Sequence, residues 1–373
     1  MDHIGGINIL EFGAKGDGIT DDTEAIQSAI DFAAKRGGGR IFFPYTPGGY
    51  RLARPATEPV RAQLVIPPGD HNILLEGEMP CRILNPYIVR PPMPKLGVFV
   101  GTKFPTPNDN TRIFSDRDAP EEHDPKAHPW SMIAASEGTL FNGHFSTGMF
   151  SIRNLEFAVK LDPERMYPTQ SAVNLQHVIR INIQDSQFCL DRNVGDHESG
   201  KQLLPNPCHT AGLIGSGDQN DNNELRNVAV QGFRYGMVFG EHVVADYLYV
   251  HNCEEAIVFH DSSHLSCIWH VVAQHNQKFL ATTECELFGM RKGPCFVEIG
   301  SVDFEPGDIA RWRPQVSNMT HGVWDPENRL YGSLKYHMGS PLGREDWFPR
   351  EGGKFFRTER FSDGPFRAEN PRK

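Results

Sequence analysis

The sequence predicts an all-β solenoid closed at its N-terminal end by one amphipathic helix. Two observations carry that prediction: short apolar-alternating runs recur through the middle of the chain, and a single helical pattern stands near its start between two glycine runs. "YGMVFGEH" begins at Tyr235 and "EAIVFHDS" at Glu255, twenty residues on, so that Val238-Phe239 matches Val258-Phe259. "ADYLYVHN" and "IWHVVAQHN" form a second strand-like pair, with His251-Asn252 and His275-Asn276 twenty-four residues apart. Upstream, "FSIRNLEF" at 150–157, "VIRINIQDSQF" at 178–188 and "ELRNVAVQGF" at 224–233 have the same character. Units this short bury their apolar faces only by stacking on neighbours. An antiparallel β-sandwich is the competing architecture. Hairpin signals are scarce, with Asn142-Gly143 isolated, which favours the solenoid.

The N-terminal stretch "GAKGDGITDDTEAIQSAIDFAAKRGGGRIFFP" runs from Gly13 to Pro44. Gly13, Gly16 and Gly18 around Asp17 predict a tight turn that needs positive φ. Asp21 is placed to cap a helix, with Glu24 closing a capping box. Ala25, Ile26, Ala29, Ile30 and Ala33 then fall on one face, which predicts a helix over 22–35. Gly37-Gly38-Gly39 ends it, and "RIFFP" reads as a short buried strand stopped by Pro44.

From Glu11 to Leu52 this stretch closely resembles the N-terminal signature of the pectate-lyase-superfamily proteins, a group that includes polygalacturonase-related hydrolases and phage tailspikes. The Gly-Asp-Gly turn, the Asp-Asp-Thr helix start, the Ala-Ile-Gln core and the Gly-Gly-Gly–strand–Pro ending all stand in order. The resemblance implies a right-handed parallel β-helix over roughly 40–310, with the helix across its open end. It also implies side-by-side bundling, hence a homotrimer. Asp17, Asp21 and Asp22 then become structural residues. The acidic and Gly-His-Gly motifs of true polygalacturonases are missing, which leaves the reaction open.

With 373 residues and 39% hydrophobic content, the chain can bury a sizeable core. It reads as one domain: 1–52 as cap and first strand, 53–310 as solenoid, and 311–373 as a C-terminal cap or subunit-contact segment. Loop excursions are expected at 84–130, which is Pro-rich and charged, and at 189–222. The net charge of -10 argues against a nucleic-acid partner. No apolar run reaches the length of a membrane span, and "MDHIGGINIL" lacks the features of a signal peptide. Seven cysteines without a CxxC pair suggest no disulfide framework. The expectation is a cytoplasmic protein, with a secreted one lacking its leader as the alternative.

Glycosidic cleavage needs two carboxyl groups flanking the bond. Aligning Phe239 with Phe259 places Glu241 beside Asp261 on neighbouring rungs, about 4.8 Å apart. This pair is the candidate acid and base or nucleophile. Asp218 and Asp221, in the glycine-flanked "GSGDQNDNNE", are candidate assistants, and such oxygen-rich residues would suit calcium, although the spacing is not that of an EF-hand. "LDRNVGDHE" adds Asp191, Asp196, His197 and Glu198. Asp185 falls at an interior-facing position, where it needs partners or marks a rung end. His264, His260 and His251 are candidate substrate-binding residues. The His260-x3-His264 spacing suits zinc only on a helix, and "EAIVF" reads as strand, so no resident metal is assigned. Tyr247, Tyr249 and Trp269 should point outward if Leu248, Val250 and Ile268 point in, which would offer rings on which sugars stack.

The leading function is therefore a carbohydrate-active enzyme, a glycoside hydrolase or glycosyl-transferring enzyme working on an oligo- or polysaccharide with an Asp/Glu pair. A lyase acting on a uronic-acid polymer is the close alternative, ranked second because the central repeat is poor in Lys and Arg. A non-catalytic carbohydrate-binding or phage tail-type β-helix is the reading from another class.

Overall fold

The computed structural model describes residues 6–79, 81, 110–138, 147–161, 167–191, 206–215, 222–240, 242–260, 262–274, 276–283, 286–305, 321–338 and 356–360. Every ladder between strands among these residues is parallel, and the chain winds as a β-helix with three faces. The first face carries Gly38–Phe43, Gly69–Gly77 and Thr147–Arg153, followed by the leading halves of Val178–Asp191, Asn222–Gln231, Val243–His251, Ser262–Gln274 and Cys295–Glu305. The trailing halves of those long strands continue a second face that begins with Asp17–Asp21, Gly49–Leu52, Arg112–Ser115 and Glu156–Lys160. The third face runs from Ala62–Ile66 through Ser131–Ala135, Ser171–Asn174, Ala211–Ile214, Tyr235–Phe239, Glu255–Phe259 and Lys278–Thr282 to His321–Trp324.

Register explains the core. Leu75, Ile152, Ile183, Leu225, Ala245, Ile268, Ile299 and Leu334 are successive ladder partners on the first face, and all are buried. Each leucine or isoleucine of this column contributes about 1.5–3 kcal/mol on burial. The match of Val238-Phe239 to Val258-Phe259 is a direct rung-to-rung pairing, with the phenylalanine rings 5.9 Å apart. The corner between the first two faces is made by Asn154, Asp185 and Asn227, at φ +59°, +48° and +52°. Asn and Asp tolerate this left-handed conformation better than other side-chain-bearing residues. Asp185 thus marks a rung corner, and its carboxylate accepts hydrogen bonds from Asn227 Nδ2 (2.7 Å) and Gln184 Nε2 (2.9 Å).

The helix spans Thr23–Lys35 and buries Ile26, Ala29, Ile30 and Ala33 against the first rungs. Its cap differs in detail from the sequence expectation. Asp22, not Asp21, is the N-cap residue, and its carboxylate accepts instead from the backbone N–H of Lys15 and Gly16. Asp21 holds the N–H of Thr23 and of Ala53, while Glu24 pairs with Arg54, so no capping box closes. Asp17 ties its own turn through the N–H groups of Ile19 and Thr20. Gly38 has a firm reason to be glycine: its φ is +123°, and a Cβ there would lie 2.0 Å from Asn72 O.

Two further expectations change. The 189–222 excursion contains a solenoid strand, Ala211–Ile214, between its loops. The parallel ladder also continues beyond 310 through His321–Trp324, Leu330–Met338 and Phe356–Arg360.

Candidate functional site

The three faces differ in what covers them. On the third, Ile214, Val238, Val258 and Ala281 point away from the core and are sealed by Leu287, Phe288 and Met290. On the second, Ala229, Tyr249 and Val272 form a buried outward patch with Tyr247 packed against it. That face also buries an ionic cluster in which Arg112 bridges Asp191 (Nη2–Oδ1 2.5 Å) and Glu156 (Nε–Oε1 3.5 Å). Among the described residues, nothing covers the first face. Along 222–226 and again along 242–246 burial alternates strictly, with Asn223, Leu225, Val243 and Ala245 inside and Glu224, Arg226, Val244 and Asp246 exposed.

A groove of about 380 Å³ lies on this open face, bordered by Asn182, Gln184, Glu224, Arg226, Asp246 and Trp269. Register arranges these residues in two columns. Asn182, Glu224, Val244 and Cys267 stack rung on rung in one, and Gln184, Arg226, Asp246 and Trp269 in the other. Glu224 accepts hydrogen bonds from Asn182 Nδ2 (3.0 Å) and Asn222 Nδ2 (3.3 Å). Arg226 lies 3.8 Å from Asp246. Both are well exposed, so their attraction is weak and the guanidinium is available to another anion. Glu224 and Asp246 sit one rung and two residues apart, a backbone diagonal of about 8 Å. Trp269 is 63% exposed, which leaves its ring open to a ligand.

Polar rings edge the groove on both sides. His242 and His264 stack at the turn into the first face, their centroids 4.5 Å apart and their planes within 12°. Toward the second face, Tyr247 packs on His270 at 5.3 Å, and His270 reaches Ser301 (2.7 Å) and Asp303 (3.7 Å). Burial, and then the Asp303 charge, pushes the Tyr247 phenol up.

Glu241, Asp261, Asp218 and Asp221, with Asp196, His197 and Glu198, lie outside the described residues. The register on which Glu241 and Asp261 were paired is present as far as Phe239 and Phe259. Asp191 is buried against Arg112, away from the groove. Trp269 and His264 are exposed as expected, on strand Ser262–Gln274. Tyr247 is half-buried, and His251 lies half-buried on the second face. Two expectations are corrected. Tyr249 does point outward, since Leu248 and Val250 point in, but it is only 2% exposed and its hydroxyl donates to Gln274 Oε1 at 2.8 Å. It offers no open ring. His260 is fully buried, where burial and then Arg329 hold its imidazole down to about 3, so it is a neutral interior residue and not a sugar contact.

The described carboxylates that face the groove, Glu224 and Asp246, lie on strands, whereas the sequence reading looked to turns. Their signal was the alternation of "NNELRNVAV" and "VVADYLYV", read as two rungs in register.

The first residues carry a family signature. Residues 6–74 match the family described as rhamnogalacturonase A/epimerase, pectate lyase-like. That match is to a pectate-lyase-like signature in the first rungs, and the described residues beyond it continue as a parallel β-helix. Among curated proteins the chain is similar to alginate lyase 7 of Azotobacter vinelandii, 59% identical over 46 residues. That match spans 12% of this chain and 5% of the lyase. It is also similar to mannuronan C5-epimerase AlgE6 of the same organism, 52% identical over 70 residues, 19% of this chain and 7% of the epimerase. Among solved structures, the AlgE6 A-module aligns with 96% of this chain and 100% of its own at 15% identity and a TM-score of 0.38. ORF18 of Geobacillus virus E2 aligns with 95% and 60% at 13% identity and a TM-score of 0.39.

Proposed function

We propose that this chain is a carbohydrate-active enzyme whose polysaccharide substrate lies across the first face, along the groove beside Trp269. One observation carries the reading: two carboxylates, Glu224 and Asp246, flank a groove with a guanidinium, two side-chain amides and an exposed indole along it. Polar groups of both signs suit hydroxyl-rich sugars, and the indole supplies an apolar platform. The two residues rise from one face on backbone positions about 8 Å apart, which lets both carboxyl groups reach one glycosidic bond, as hydrolysis requires. Glu224, held by two amide N–H donors, suits the base, and Asp246 is the second carboxylate of the pair.

A second reaction is favoured by Arg226 and by the names of the relatives that match the N-terminal segment, an alginate lyase and mannuronan epimerases. On a uronate polymer, Arg226 would pair with the sugar carboxylate, with Asn182 and Gln184 beside it. Glu224 would take the C5 proton, and the pairing with Arg226 would stabilise the carbanion left behind. The outcome is elimination if the C4 oxygen departs and epimerisation if a proton returns to the other side.

Incubation with a panel of neutral and uronate polysaccharides separates the two. New reducing ends without ultraviolet absorbance mark hydrolysis, absorbing unsaturated ends mark elimination, and altered proton spectra at constant chain length mark epimerisation. Glu224→Gln should lower turnover about 10²–10⁴-fold. A panel that yields no product overturns the enzymatic reading.

A further inference from the structure

Away from the groove, three side chains from three separate segments converge. His128 precedes the third-face strand Ser131–Ala135, Glu137 follows it, and His177 sits between Ser171–Asn174 and Val178–Asp191. Each offers a ligand atom, and these atoms all lie within 4.8 Å of one another. We propose that His128, Glu137 and His177 form a binding site for a divalent transition-metal ion of the zinc class.

The donor set is two imidazoles and one carboxylate, which suits zinc and its neighbours and does not suit calcium, an ion that takes six to eight oxygens. The spacing fits as well. His128 Nε2 and Glu137 Oε1 are 3.4 Å apart. Two ligands bound at about 2.0–2.1 Å with tetrahedral angles stand about 3.4 Å from each other. The rings of His128 and His177 have centroids 5.6 Å apart and planes inclined at 48°, so they are not stacked face to face.

The scaffold anchors the backbone of both histidines. The carbonyl of His128 accepts from Arg61 Nη1 at 3.0 Å, and Arg61 lies over the Trp130 ring at 5.2 Å. The carbonyl of His177 accepts from the N–H of Thr147 at 3.3 Å. Glu137 is the exposed partner, its side chain 77% accessible, and would complete the site from the solvent side. Three protein ligands leave a fourth position for water. The ion would clip the segment after Ser131–Ala135 to the next rung, at the corner where the first face begins.

The test uses the full, tag-free chain, dialysed against Zn²⁺ or Ca²⁺ and assayed for bound metal and for its thermal midpoint. One zinc per chain at micromolar free metal, with a raised midpoint and no corresponding effect of calcium, is the expected result. His128→Gln and His177→Gln, which keep side-chain volume and polarity, should each weaken zinc at least about tenfold. His123→Ala removes a histidine beside Glu121, outside the cluster, and should leave zinc affinity unchanged. A parental chain that retains no zinc overturns the site. So does zinc binding that both Gln variants keep at parental strength, which would assign it to other histidines. Near-ultraviolet circular dichroism of the metal-free variants checks that they are folded, and Glu137→Gln, at an exposed position, gives a third reading independent of packing.

Discussion

The side-chain amide of Gln27 pairs with both backbone groups of Val65. Gln27 Nε2 donates to Val65 O at 2.9 Å, and Val65 N–H donates to Gln27 Oε1 at 2.8 Å. Val65 belongs to Ala62–Ile66, the first strand of the third face, whose only ladder partner among the described strands is Ser131–Ala135. Left bare, its other edge would present amides and carbonyls able to recruit another strand. The helix therefore closes the solenoid chemically as well as sterically, with one glutamine completing the ladder that its apolar face covers.

Gln27→Leu should retain the helix and remove both bonds, leaving an edge N–H and C=O unsatisfied. The expected loss is about 2 kcal/mol, read as a lowered urea midpoint at unchanged slope. An unaltered midpoint would mean that water replaces the amide at no cost.

Trp269→Ala should weaken polysaccharide binding roughly tenfold, the worth of one stacked ring and its buried area, and leave thermal stability unchanged because the ring is mostly in solvent. Tyr249→Phe is the complement. It removes the bond to Gln274 and should cost about 1 kcal/mol of stability with no effect on binding. Calorimetry with a bound oligosaccharide and parallel unfolding curves check both, and a binding defect in the Tyr249 variant would move the substrate to the second face.

The contrast between these two aromatics shows how far the sequence could be read. Alternation told correctly that both point outward. It could not tell which is covered, because cover depends on neighbours in the column, and those are fixed only by register. Tyr249 stacks between Ala229 and Val272, an apolar column that buries. Trp269 follows Asp246, in a column that stays wet. The repeat itself was legible where rungs are short, as in Val238 over Val258. It faded where the next turns lengthen, as from Val244 to Cys267 and from Cys267 to Glu298, because loops of unequal size intervene. The helix and its apolar face were legible in residues alone, whereas its place across the open end came from the family resemblance.

Arg112 carries a prediction about the second face. Its guanidinium neutralises Asp191 and Glu156, while Asn110 and Gln187 donate to the remaining Glu156 oxygen. Glu156 and Asp191 are nearly inaccessible to solvent. Arg112→Met would strand two buried carboxylates, at an expected cost of about 3–5 kcal/mol. Arg112→Lys keeps the charge but cannot span both partners with one planar fork, so it should fall between parent and Met. Denaturation at neutral pH reads the order. Equal stability of Met and parent would show that the cluster takes up protons or water without penalty.

His260 supplies the acid side of the stability profile. Folded, it titrates at about 3, held there by burial and then by the charges of Arg329 and Lys292, against an ordinary value of about 6.5. Neither ring nitrogen has a hydrogen-bond partner among the described residues. Between those two pH values the unfolded chain binds a proton that the folded chain refuses. Its contribution is therefore full above about pH 6.5 and is lost as pH falls toward 3, with a limiting slope of about 1.4 kcal/mol per pH unit. His260→Leu removes the titrating group from both states. The variant should be at least as stable as the parent at pH 7, where an imidazole with unsatisfied nitrogens contributes little. It should then lose less stability on going to pH 5. Urea unfolding of both chains at the two pH values measures the difference, and parallel profiles would show that His260 finds its proton without unfolding.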